Sequence, residues 1–101
     1  MTNLTSRQRK YLRALAHHLE PVVKIGKQGI STNLLKAIDE ALNDHELIKI
    51  KFIDFKDEKQ ELTSKIIEET KCEIAGIIGN IAILFRESNI EEKRNIRLPN
   101  K

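Results

Sequence analysis

Gly26-Lys27-Gln28-Gly29 is the stretch whose residue types and spacing best suit a chemical task. Two glycines let a backbone approach an anion closely, and Lys27 puts a positive charge at the tip between them. The helix predicted to follow adds unpaired N–H groups and the positive end of its dipole, a setting that favours phosphate. The plain alternative is an ordinary strand-to-helix turn that happens to contain two glycines. Gly76-Ile77-Ile78-Gly79 has the same spacing, but its middle is apolar and it falls inside a predicted hairpin, so it reads as structural. Spacing alone is therefore weak; the polar middle and the helix entry carry the phosphate reading.

The charge distribution points the same way. The chain has 18 Lys+Arg against 15 Asp+Glu, a net charge of only +3. In residues 1–29, however, Arg7, Arg9, Lys10, Arg13, Lys24 and Lys27 stand against Glu20 alone, a local charge of +5. Segments 30–46 and 57–73 are acidic, at −3 each. No acid interleaves Arg7, Arg9, Lys10 and Arg13, as a salt-bridged surface helix would show, although a solvated basic face is the bland reading. Lys49 and Lys51, on one face of a predicted strand, extend the basic set. A one-sided basic surface beside a glycine loop is the electrostatic footprint of a nucleic-acid binder. KH domains use a loop of this pattern to clamp single strands by their backbone.

Other reactive groups are less informative. His17 and His18 are adjacent, about 100° apart on a helix, and cannot chelate one metal as an i, i+4 pair would. His45 lies at a helix end, where a cation suits the dipole. Nothing in the spacing fixes a general acid and base together for a two-histidine ribonuclease, so no catalytic residue, metal site or cofactor is expected. Cys72 has no CxxC partner and reads as a small packed residue. Tyr11, Phe52, Phe55 and Phe85 are the only aromatics, too few for a surface that stacks successive bases on exposed rings.

The elements that must position these groups follow from periodicity. Thr5 and Gln8 have capping-box spacing at the start of a first helix. Leu12, Leu15 and Leu19 form its apolar stripe, Arg9, Lys10, Arg13 and His17 lie opposite, and Pro21 ends it. Val22 to Ile25 is a short strand that feeds the loop. Ser31 or Thr32 caps a second helix with Leu34, Leu35, Ile38, Ala41 and Leu42 inward. Leu47 to Ile53 alternates as a strand, with Ile48, Ile50 and Phe52 on one side. Asp57 and Gln60 repeat the capping-box spacing ahead of a third helix that turns Leu62, Ile66 and Ile67 inward. Ile74–Ile78 and Ile81–Phe85 are strands joined by a Gly79-Asn80 turn. The order α-β-α-β-α-β-β predicts an α/β (α+β two-layer) fold with a mixed four-stranded sheet.

At 101 residues the chain suits a single domain, assigned to 1–88, with a loosely held polar tail over 89–101. The apolar run Ile74–Phe85 is interrupted and far short of a membrane span, and the N-terminus lacks a signal-peptide apolar core. A cytoplasmic location is expected.

A set of ordered motifs resembles the YhbY-like proteins, single-domain members of the CRM (chloroplast RNA splicing and ribosome maturation) family. They are Leu4-Thr5-Ser6-Arg7-Gln8-Arg9, Leu15-Ala16-His17-His18-Leu19-Glu20-Pro21-Val22-Val23, Ile25-Gly26-Lys27-Gln28-Gly29-Ile30, His45-Glu46-Leu47-Ile48-Lys49-Ile50-Lys51, Leu84-Phe85-Arg86 and Ile96-Arg97-Leu98-Pro99. The resemblance implies a fold similar to the C-terminal domain of translation initiation factor three. It further implies RNA binding through Gly26, Lys27, Gln28 and Gly29, with Lys49, Lys51 and Arg86 at matching basic positions, and association with precursors of the large ribosomal subunit. Phe85, Glu87 and Asn80 depart from the family's usual Tyr, Pro and basic residue, which bears on a contact at the hairpin and not on the loop. The expected partner is ribosomal RNA, with neither membrane nor small-molecule substrate, and the protein is expected to be monomeric. The rival reading is a protein-interaction module on assembly intermediates, with the basic face incidental.

Overall fold

A computed structural model describes residues 3–100. The elements are α1 (Ser6–Ala16), β1 (Val23–Ile25), α2 (Thr32–His45), β2 (Leu47–Phe52), α3 (Lys59–Thr70), β3 (Glu73–Ile78) and β4 (Ile81–Phe85), with 3-10 turns at Lys56–Glu58 and Glu91–Lys93. This is an α+β fold around a mixed four-stranded sheet, as the periodicities predict. The strand order is β1-β2-β4-β3. β1 runs parallel to β2, because α2 carries the chain back between them, and the other neighbours are antiparallel.

Alternation in the strands gives the sheet two buried faces. Ile25, Ile48, Ile50, Phe52, Ala82 and Leu84 meet Ile38 and Leu42 of α2 and Ile66 of α3. On the other face Leu47, Ala75, Ile83 and Phe85 meet Leu4, Leu12 and Ala16, with Ile96 and Leu98 packed alongside. Lys49 and Lys51 stand two and four residues beyond Leu47, so they share the α1 side.

Caps set the helix starts. The Thr5 side chain accepts from the Gln8 N–H and the Gln8 side chain accepts from the Thr5 N–H, both at 3.1 Å. The Ser31 hydroxyl accepts from Leu34 N–H at 3.1 Å and caps α2. The expected box at Asp57 and Gln60 does not form: a 3-10 turn occupies 56–58, and α3 begins at Lys59 without a side-chain cap.

Two further expectations fail for identifiable reasons. The buried stripe of α1 is Gln8, Leu12 and Ala16, whereas Leu15 and Leu19 are exposed. The helix stops at Ala16, five residues before Pro21, so Leu19 never joins its face. The segment after residue 88 is not loose. Glu46, fully buried and at φ 63, closes α2 and holds the segment from beneath. Its carboxylate accepts the backbone N–H groups of Ser88 and Asn95 at 2.8 and 2.7 Å. Gln8 adds a hydrogen bond from its side-chain amide to the Pro99 carbonyl at 2.9 Å.

Candidate nucleic-acid interface

The glycine loop is built on the end of β1. Gly29 N–H donates to Gly26 O at 3.0 Å, and Gly29 has φ 64, the left-handed region that glycine tolerates. Lys27 and Gln28 project into solvent at its tip. Ile30 and the Ser31 cap separate the loop from the first turn of α2. The β2–α3 connection lies beside it, because Ile53 and Asp54 both donate their N–H to Ile25 O. The β3–β4 hairpin shares this end of the sheet, tied by Phe52 N–H to Asn80 O at 2.8 Å.

One row of paired residues crosses all four strands at the loop end. Lys24 pairs with Lys51, Lys51 with Ile81, and Ile81 with Ile78. Lys24 and Lys51 are exposed neighbours on adjacent strands, and neither has an acidic partner among the described residues. Like charges side by side on a sheet repel. With Lys27 just beyond β1, three exposed cations lie at one end of the sheet.

The other expected contacts divide. Arg7 and Lys10 are exposed on α1. The start of α1 lies at the opposite end of the sheet, where Asn3 N–H donates to the carboxylate of Glu73 and Glu73 pairs with Phe85. The six residues of β2 put roughly 17 Å between the two ends. Four cations are committed to the protein itself. Arg9 donates to Leu4 O at 2.8 Å and to the Ser6 hydroxyl at 3.0 Å, turned back toward the start of α1. Arg13 donates to Ala75 O at 2.9 Å and lies over Gly76, where an added Cβ would come within 2.9 Å of its Cδ. Lys49 donates to Leu19 O at 3.0 Å, beyond the end of α1. Arg86 pairs with Asp39 at 2.7 Å and also donates to Thr70 O, Asp39 O and the Asn43 side chain. It fastens α2 and α3 to the end of β4.

The spacing did not reveal the groove beside the loop, a space of about 530 Å³ lined by Lys27, Ile53, Asp54, Phe55, Lys56, Asp57 and Glu58. A second groove, apolar and about 440 Å³, takes in Leu15, Leu19, Val22, His45 and Ile96. His17 and His18 meet edge to face at 5.2 Å. Among the described residues no group of three or more His, Cys, Asp or Glu could hold a metal, and no helix is long and apolar enough to cross a membrane. Cys72 is buried, and burial pushes its thiol up from its ordinary value against a lowering hydrogen bond from Thr70.

The CRS1/YhbY (CRM) domain model matches residues 4–86. This chain belongs to the CRM domain family. It is 42% identical over its whole length, and that of its relative, to a Haemophilus influenzae protein named RNA-binding protein. It is 35% identical to the probable RNA-binding protein YqeI of Bacillus subtilis, over 95% of this chain and 99% of that one. A hypothetical protein of Staphylococcus aureus solved in solution superposes with a TM-score of 0.80 at 40% identity, covering 95% of this chain and 99% of its own. The CRM match spans every helix and strand of the sheet domain, including the glycine loop and the Lys24–Lys51 pair.

Proposed function

We propose that this CRM protein binds RNA through the β1–α2 loop and the basic end of its sheet, and that it does so on ribosomal RNA during assembly of the large subunit. The observation that carries the reading is the exposed Lys24–Lys51 pair leading into Lys27. Among the described residues these like charges have no acidic partner, and a polyanion relieves their repulsion. Gly26 and Gly29 let the loop backbone approach a phosphate, Lys27 and Gln28 contact it, and Arg7 and Lys10 add longer-range attraction. Arg9, Arg13, Lys49 and Arg86 serve the interface by holding its elements in place. The RNA-binding names of the relatives support the same partner.

The test is to reverse the loop's charge with Lys27→Asp and Gln28→Asp together. Affinity for ribosomal RNA fragments is expected to fall at least tenfold near 0.1 M salt, with a shallower salt dependence as fewer counterions are released. Unchanged association would favour the protein-interaction reading. In-cell crosslinking with sequencing of the attached RNA should show enrichment in large-subunit precursors. Uniform crosslinks across cellular RNA would remove the assembly role while leaving RNA binding in place.

A further inference from the structure

The groove between the glycine loop and residues 53–58 contains groups that a phosphate grip does not need. Phe55 belongs to neither core cluster and is 39% exposed. Its backbone is left-handed, at φ 57 and ψ 36, an unfavourable conformation for a residue with a side chain. That conformation sets the ring against Gly29, where a Cβ would come within 3.4 Å of Cε2. Phe55 is thus an apolar ring presented beside Lys27 at some conformational cost. Asp54, Asp57 and Glu58 line the same groove, and none of them forms an ion pair among the described residues. These three carboxylates outnumber the groove's two lysines, Lys27 and Lys56, and oppose the backbone of any nucleic acid, but they suit a base. Carboxylates accept hydrogen bonds from the ring and amino N–H groups of a base edge, and an aromatic ring stacks on its face.

We propose that this groove seats one unpaired nucleotide, with its phosphate on the loop at Lys27, its base against Phe55, and its Watson–Crick edge toward the carboxylates. The proposal rests on the RNA reading above and narrows it to single-stranded segments. Bases inside a duplex are stacked and paired and cannot reach the ring. Guanine fits best, because its N1–H and amino group give adjacent donors to a carboxylate. Uracil sets carbonyl oxygens on either side of its single N–H and fits worst.

The experiment measures binding of three probes: an oligouridylate, the same strand carrying one guanosine, and a blunt RNA duplex. Phe55→Asn removes the ring and keeps a residue that tolerates the left-handed backbone. It is expected to weaken both single strands about tenfold and leave the duplex unchanged, while Phe55→Trp retains binding. Asp54→Asn with Asp57→Asn should abolish the preference for the guanosine strand. On the unaltered protein, photocrosslinks from a single 6-thioguanosine placed at the guanosine position of the strand should map to Phe55, which covers the case of a poorly folded variant. Phe55→Asn matching the parent on single strands while the loop charge reversal binds poorly overturns the nucleotide seat and leaves the RNA reading standing. Crosslinks that avoid Phe55, or equal losses on duplex and single strand, also overturn the seat. If the loop reversal has no effect on any probe, the RNA reading fails and the seat fails with it.

Discussion

Arg86 shows how far a residue's type can be from its duty. As one more cation at a family-matching position it reads as a contact for an anion. In the folded chain its guanidinium satisfies the Asp39 carboxylate, two backbone carbonyls and Asn43, with a side chain only 20% exposed. A single sequence lists charges but not the carbonyls that two separate helices bring to one point, so this role was not legible. Lys24 and Lys51 were legible as cations, and only their pairing across β1 and β2 makes them a unit. Arg86→Ala is expected to lower stability by about 2 kcal/mol, since it strips a charge-assisted network from a half-buried acid and a backbone carbonyl. For a domain of this size that is roughly 8–15 °C in unfolding midpoint. A thermal melt indistinguishable from the parent's would mean that the network contributes nothing.

Among elements, those with regular burial were the readable ones. β2 presents Ile48, Ile50 and Phe52 to one side and is found where its alternation places it. The Thr5–Gln8 box likewise marks the true start of α1. The inward face of α1 was misread because a short helix crossing a sheet needs only a narrow stripe. Gln8, Leu12 and Ala16 provide it, while the larger Leu15 is left outside. Arg13 and Gly76 complete that docking: the glycine leaves room for the arginine stem over β3, and the guanidinium takes up the Ala75 carbonyl. Gly76→Ala should therefore destabilise the parent by about 1 kcal/mol yet cost little in an Arg13→Ala background, a coupling that a double-mutant cycle of denaturant midpoints measures. Additive effects would mean that the two residues do not share a site.

At the scale of the molecule, the segment after β4 is part of the fold. Composition pointed to a tail, since its apolar residues are few and scattered. The structure uses two of them, Ile96 and Leu98, against the α1-side core and secures the rest through the buried Glu46 carboxylate. That partner lies more than forty residues upstream, so nothing local in the sequence announces it. Removing residues 89–101 leaves Glu46 short of one donor and uncovers apolar surface. A loss of about 2 kcal/mol is expected, read as an earlier unfolding transition in urea, with the glycine loop's RNA affinity per folded molecule unchanged. Equal stability of the shortened chain would show that the clasp carries no weight.

The Gln8–Pro99 hydrogen bond has an architectural consequence as well. It ties Gln8 in the first turn of α1 to the Pro99 carbonyl at 2.9 Å, at the end of the sheet away from the glycine loop. Gln8 and Pro99 thus share one side of the unit, as in a cartridge whose connectors are both at the base. A short linker could join them and the chain be reopened at the β3–β4 turn, beside the exposed Gly79, to give a circular permutant. The unit can equally be set between other domains, or repeated in tandem, with every copy's working edge facing outward.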